Sequence, residues 1–454
     1  MTGSNSNLGE QWASLTPAEK RQKRYEWWRS TEGINFVNAQ AEKSYKERIQ
    51  RMIDVYDVRE PDRVPVSVPT GNLPAVRAGL NYHDMMYEPE KTLAAWEKFN
   101  KEANLDTYAF PGGIPGPVLD ALDYKLYVWP GQKLPVDADG FQFVEGEYMT
   151  AGEYDDFILD PSDFWMRKYM PRVMGILEPF RMLQPYTDNW EIVNVTGWLM
   201  PYTRPEVQGA FKKVLAAADE LTKWNNKMMR NARRAAEFGY PAARSAMAKA
   251  PFDTIGDTLR GTKGIFMDMY RRPDKLMAAM DVAANLTIKS VINNLNASKG
   301  LMVTYPLHKG ADGWMSEKQF TTFYWPSLKK TIDAFVNEGI LVNLFAEGGY
   351  DSRLEICNQF PKGAVMWLFD KSDMAHAKKV LGDKCCISGN VPASLLHAGT
   401  PKEVKEYCRK LIEVCGKGGG YILAAGNAAV DKANIENIRA MQDAASEYGV
   451  YKKK

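Results

Sequence analysis

Histidine and cysteine are scarce in this 454-residue chain, with four of the first and five of the second. The histidines stand at 83, 308, 376 and 397, too few for a His-rich metal cage. The cysteines, Cys357, Cys385, Cys386, Cys408 and Cys415, are odd in number, crowd the last quarter and show no CxxC spacing, a pattern of reduced thiols. No run approaches the ~18 consecutive apolar residues of a membrane span. The polar start MTGSNSNLGEQW lacks the apolar core of a signal peptide, so the expected location is the cytoplasm. An excess of one charge is lacking too: 58 Lys plus Arg against 56 Asp plus Glu leave a formal +2, without the basic footprint of a nucleic-acid or anionic-membrane binder. No GxGxxG follows a strand pattern, and Gly416-Lys-Gly-Gly-Gly420 precedes one, where it reads as a helix-terminating turn. What remains is a partner of small-molecule size.

The composition, 45% hydrophobic and 25% charged, is that of an ordinary globular protein. Residues 1–60 are charged and helix-forming, with apolar positions at helical spacing, and read as a helical extension. Residues 61–454 read as one large unit. Strands are expected at 63–68 and 105–110 and near 192 and 247. Around 120–170 the text turns irregular, and Trp129-Pro-Gly and Asp137-Ala-Asp-Gly beside an alternating 141–144 suggest a small hairpin insertion. From 300 onward, short apolar runs at 301–305, 340–345, 364–369, 385–388 and 421–425 alternate with amphipathic stretches, for which Ser316, Ser372 and Thr400-Pro401 offer helix starts. Eight or nine strands with covering helices predict an α/β fold, a single (β/α)8 TIM barrel.

Catalytic groups of parallel α/β folds cluster just beyond the C-terminal strand ends. After 301–305 come His308, Lys309 and Asp312; after 340–345, Glu347, Tyr350, Asp351 and Arg353; after 364–369, Asp370; after 385–388, Asn390; after 421–425, Asn427. Glu347 stands between a strand and two glycines, so it is expected to point into the mouth. Glu347, His308 and Asp370 are the candidate catalytic groups. Lys309, Asp312, Tyr350, Asp351, Arg353 and Asn390 are candidate substrate contacts, with Trp198 and Trp314 as ligand walls. His376 and His397 lie on helical patterns and are read as structural, and Cys385 and Cys386 as buried small hydrophobes.

Several segments resemble the uroporphyrinogen decarboxylase superfamily over roughly residues 45–450. They are Lys46-Glu-Arg with Pro61-Asp-Arg-Val-Pro-Val66, Ala250-Pro-Phe-Asp-Thr with Leu259-Arg-Gly261, Asp268 with Arg272-Pro273, Gly389-Asn-Val-Pro392, Gly399-Thr-Pro-Lys-Glu-Val404, and Gly418-Gly-Gly-Tyr-Ile-Leu423 with Asn437-Ile-Arg-Ala-Met441. The likeness is strongest to the branch related to methylcobalamin:coenzyme M methyltransferases. It implies the barrel independently of the strand count.

The segment after the first strand, Ser67-Val-Pro-Thr-Gly-Asn-Leu-Pro74, has no Arg before Arg77, so the Arg-rich clamp of true uroporphyrinogen decarboxylases on a poly-acid tetrapyrrole is missing. The methyltransferases carry a His-x-Cys pair and a later Cys that bind zinc. Here those places read Ala346-Glu347-Gly348 and Gly426-Asn427. The resemblance therefore implies no thiolate zinc site; were zinc held, Glu347 and His308 would be its ligands. The reading is a methyltransferase or O-demethylase that moves a methyl group between a small, methoxylated substrate and a corrinoid (cobalamin) on a partner protein. Its alternative is a decarboxylase in which Arg77, Lys309 or Arg353 holds a carboxylate. A homodimer is expected, with Tyr448, Tyr451 and the Trp27-Trp28 pair as cover.

Overall fold

A computed structural model describes residues 11–427 and 430–452. The first ten residues, on which most of the signal-peptide reading rests, lie outside that description, as do the last two. Seven strands form one parallel sheet: β1 (Val66–Ser67), β4 (Ser245–Met247), β5 (Met302–Leu307), β6 (Leu341–Ala346), β7 (Val365–Phe369), β8 (Cys386–Val391) and β9 (Tyr421–Ala425). Their order is β1-β9-β8-β7-β6-β5-β4, and the sheet curls into a half-barrel. From β5 onward, chain order and sheet order coincide, as parallel strands joined by right-handed helical crossovers require. β4 and β1 are its edges, and among the described residues no strand joins them.

The strands of the second half are apolar on both faces; all five residues of β9 are buried. Helices cover the outer face, which is why these strands read as continuous apolar runs. Their starts are largely local: Ser316 and Thr400 each close a capping box, with Gln319 and Glu403. Ser372 does not cap the following helix. Asp373 does, accepting from the backbone of Ala375 and His376, while the buried Ser372 hydroxyl accepts from the Tyr350 backbone N–H at 2.9 Å.

Two expected strands are absent. Residues 105–110 run beside β1 with one backbone bond, Asp106 N–H to the Val66 carbonyl at 3.1 Å. Further along, the buried Asn100 side chain takes both the N–H and the carbonyl of Ala109, at 2.8 and 3.0 Å, so a side chain satisfies groups that a strand would give to a neighbour. Near 192 the chain forms a 3-10 turn, Ile192–Asn194, followed by the short helix Val195–Leu199. Within 120–170, β2 (Tyr127–Val128) and β3 (Gln142–Phe143) pair antiparallel over two residues.

The helices Pro17–Arg29 and Ala39–Tyr56 seal the N-terminal end of the sheet. Tyr25, Ile49, Met52 and Ile53 share one buried cluster with Leu301, Leu341, Met366, Cys386 and Ile422, all at or near strand starts. Arg21 donates to the carbonyls of Gly339, Ile340 and Gly363, and Arg24, fully buried, to those of Glu338 and Gly300. The carbonyls entering the strands would otherwise be buried without partners. All five cysteines are buried and free. No helix among the described residues is long and apolar enough to cross a membrane.

Candidate active site at the C-terminal strand ends

Register assembles the site. Leu307 pairs with Ala346 and Ala346 with Phe369, so His308, Glu347 and Asp370 leave three adjacent strands at one level, roughly 5 Å apart per strand. His308 Nε2 lies 3.9 Å from Glu347 Oε2. Both side chains reach solvent, with 36% and 42% of their surface exposed, as groups that meet a ligand must. Asp370 Oδ1 accepts from Asn427 Nδ2 at 2.8 Å.

Beneath this row are two carboxylates that the strand-end reading missed. β4 is followed by the turn Pro251–Asp253 and the π-helical turn Thr254–Arg260, an irregularity frequent at functional sites. Asp257 Oδ2 accepts from His308 Nδ1 at 2.6 Å and lies 3.0 Å from Lys249 Nζ, and its Oδ1 accepts from Lys309 Nζ. Asp253 is fully buried with no cation on its oxygens: it accepts from the backbone N–H groups of His308 (3.1 Å) and Lys309 (3.0 Å) and from the Tyr324 hydroxyl (2.7 Å). It fixes the backbone that carries His308, and Asp257 fixes the ring. Both stand beyond the expected strand near 247, so applying the strand-end rule there would have found them.

The electrostatics follow from this geometry. The hydrogen bond to Asp257 raises the His308 pKa above the ordinary 6.5 against desolvation, and the charges of Asp253, Asp257 and Glu347 add to it. Burial would raise Asp257, yet the His308 bond and the ammonium groups of Lys249 and Lys309 hold it far below the usual carboxylate range. Glu347 is raised above 4.5, first by burial and then by the charges of Asp253, Asp370 and Asp257, with His308 opposing. Desolvation and the neighbouring Asp257 raise Asp253 as well. The mouth therefore pairs a carboxyl and an imidazole whose pKa values are both shifted upward, the first by burial and neighbouring carboxylates and the second by its bond to Asp257.

The remaining predicted residues divide. Lys309 is buried on Asp257 and lies over the Trp314 ring at 5.3 Å, so its charge is engaged within the site. Trp314 is half exposed and stacks on Phe266. Tyr350 is buried and donates to the Leu307 carbonyl at 3.2 Å, making it part of the floor. Arg353, also buried, donates to the Met315 carbonyl at 2.6 Å and lies 3.4 Å from Asp312, which itself accepts from Ser352; the pair braces two loops. Asp351 accepts from the Asp373 backbone at 2.9 Å, and Asn390 donates to the Ser372 carbonyl at 2.8 Å. Trp198, on the short helix Val195–Leu199, has Tyr186 and Tyr202 as ring partners.

The zinc site of the methyltransferase branch does not fit these residues. The strand ends offer Glu347 and Asn427 where sulfur and imidazole ligands would stand, and all five thiols are buried. Among the described residues no group of three His, Cys, Asp or Glu side chains is arranged to hold a metal.

A parallel α/β sheet with its polar groups at the C-terminal strand ends defines a class of enzyme-like folds. Residues 227–448, just under half of the chain, match the family model for uroporphyrinogen decarboxylase. It is 26% identical over 192 residues to the uroporphyrinogen decarboxylase of Pseudoalteromonas translucida, covering 39% of this chain and 50% of that one. It is 22% identical over 185 residues to that of Actinobacillus succinogenes, with 40% and 50% covered. The chain thus spans about half the length of the curated relatives it matches. In fold it is similar to a methyltransferase from Methanosarcina mazei, with a TM-score of 0.57 at 15% identity, over 88% of this chain and 98% of that one.

Proposed function

We propose that this protein is a methyltransferase that takes a methyl group from a small methoxylated or methylated substrate and delivers it to a corrinoid carried by a partner protein. The observation that carries the reading is the Glu347–His308–Asp257 row: a half-buried carboxyl with a raised pKa, facing an imidazole that a buried carboxylate orients. The corrinoid, a co-substrate on its own protein, supplies the nucleophile that accepts the methyl group. This chain's residues supply the other half. As the bond between methyl carbon and heteroatom breaks, its electron pair stays on the oxygen or nitrogen, and the Glu347 carboxyl donates the proton that neutralises it. The His308 imidazolium, 3.9 Å from Glu347, stabilises the carboxylate that results, and Asp257 holds the ring in place. Trp314 offers an aromatic face to the substrate. On this reading the chain is one (β/α)8-type unit from residue 61 onward, with residues 105–110 beside β1 in an eighth position and an insertion around 120–170.

The experiment combines the protein, a methoxylated aromatic and a reduced corrinoid, and follows the absorption spectrum of the alkylated corrinoid. The expected result is its growth with the wild type and a loss of about 100-fold or more with Glu347→Gln, at an unchanged melting temperature. The decarboxylase reading is supported by the curated relatives, uroporphyrinogen decarboxylases that match about two fifths of this chain. Carbon dioxide released from a carboxylated substrate without corrinoid, dependent on Glu347, would replace the proposal with it.

A further inference from the structure

We infer that the ribbon formed by β2 and β3 is the wall of the site that receives an aromatic ring of the substrate, with Tyr127 and Phe143 setting the preference for that ring. The inference rests on the reading of the Glu347–His308 row as the reacting centre and adds the substrate class to it. Register explains the face. Tyr127 pairs with Phe143 and Val128 with Gln142, so Tyr127 and Phe143 point to one side of the ribbon, and Phe141, two residues before Phe143, joins them. The rings are continuous: Tyr127 lies 5.2 Å from Phe141 and 5.4 Å from Phe143, at 80° and 64°, and Phe141 lies 5.6 Å from Tyr82. Phe141 and Phe143 keep 42% and 39% of their surface free, which leaves room for one more ring.

Anchors place this face at the mouth. Beyond β3, Glu145 accepts from the Thr262 backbone N–H at 2.8 Å, the Met149 N–H donates to the Leu259 carbonyl at 2.8 Å, and Arg260 donates to the Met149 carbonyl and to Glu147. Leu259 and Arg260 end the π-helical turn that carries Asp257. In the loop between β2 and β3, Asp139 lies 3.9 Å from Lys432 in the segment after β9. The ribbon is thereby tied to segments that follow β4 and β9, at the same end of the sheet as His308 and Glu347. The Tyr127 hydroxyl is raised above its ordinary pKa first by burial and then by the charge of Asp257, which sets its ring within electrostatic reach of the carboxylate that holds His308. Chemistry selects the ligand. Glu145, the charged residue nearest Phe143 in sequence, is held on the Thr262 backbone. Rings that touch one after another form a row, which a flat ring meets by offset or edge contacts, whereas a cage for an organic cation needs rings converging on one point. The ribbon lies outside residues 227–448, so the family match does not supply this wall.

The test is calorimetric binding of methoxybenzene and of methoxycyclohexane, the same ether without a π face, to the full chain in the absence of corrinoid. The wild type is expected to bind the aromatic ether about 5-fold more tightly. Phe143→Leu and Tyr127→Leu keep apolar bulk and are expected to erase that preference, with the circular dichroism spectrum unchanged. Gln142→Ala, on the other side of the ribbon, is expected to leave the preference intact, and so is Glu347→Gln, which removes only the proton donor. A preference that depends on Phe143 in a protein that alkylates no corrinoid supports the wall and overturns methyl transfer. Equal binding of the two ethers, no saturable binding of either, tighter binding of tetramethylammonium than of methoxybenzene, or a preference that survives both ring substitutions overturns the wall, whatever the corrinoid assay shows.

Discussion

At the scale of the residue, the His308–Asp257 pair is the most informative contact. The His308 pKa is raised in the folded protein, so its stabilising contribution is complete below the ordinary 6.5 and is lost as pH rises through the folded value. That of Asp257 is lowered, so its contribution is present above the ordinary 3.8 and is lost as pH falls through the folded value. The pair stabilises most between those two ordinary values. Asp257→Asn is expected to bring the His308 midpoint down, read from the ring carbon resonances across a pH titration, with His308→Gln identifying the signal among four histidines. An unchanged midpoint would mean that Asp257 does not set the charge of the ring. Glu347, His308 and Asp370 were legible because each directly follows an apolar run. Asp253 and Asp257 were passed over because they lie within the two helical turns that follow the strand near 247 rather than directly at its end.

At the scale of the element, one buried carboxylate ties the first strand to its surroundings. Asp106 accepts from Arg51 at 2.7 Å, from Arg63 at 2.7 Å and from the Val66 backbone at 2.7 Å. It holds helix Ala39–Tyr56, β1 and the 105–110 backbone in one ion network. Asp106→Ala removes one partner and leaves two guanidinium groups facing each other, with Arg51 keeping only Asp62. The expected loss is about 3 kcal/mol, measured as a lowered urea midpoint. A midpoint within error of the wild type would show that the network does not hold these elements together. The same region shows why 105–110 misled as a strand: its alternating residues suit a strand, yet Asn100 replaces the neighbour that would make it one. The run Ile192-Val193-Asn194-Val195 misled in the same way. β-Branched residues favour extended backbone only where a pleated surface receives them, and here Ile192, Val193 and Val195 stand exposed.

At the scale of the whole molecule, the N-terminal helices complete the core. Residues 17–56 cover the strand starts and satisfy five carbonyls through Arg21 and Arg24. A chain beginning at residue 61 exposes Leu301, Leu341, Met366, Cys386 and Ile422 together and is expected to be recovered as aggregate, checked by the soluble fraction on expression beside the full chain. A soluble, cooperatively melting product would make residues 1–60 a detachable extension instead.

The sequence by itself determined the composition class, the parallel strands of the second half, their capped helices and the polar residues that follow each strand, because these depend on periodicity and on neighbours a few residues away. Tertiary structure alone decided which strand-end groups meet and what charge they carry. Parallel register places His308, Glu347 and Asp370 in one row across intervals of 39 and 23 residues, and the fold of a separate turn brings Asp253 and Asp257 beneath them. It also turned Lys309 and Arg353 from open cations into internal partners, since a long side chain's role is set by whichever carboxylate or carbonyl the fold puts within its reach.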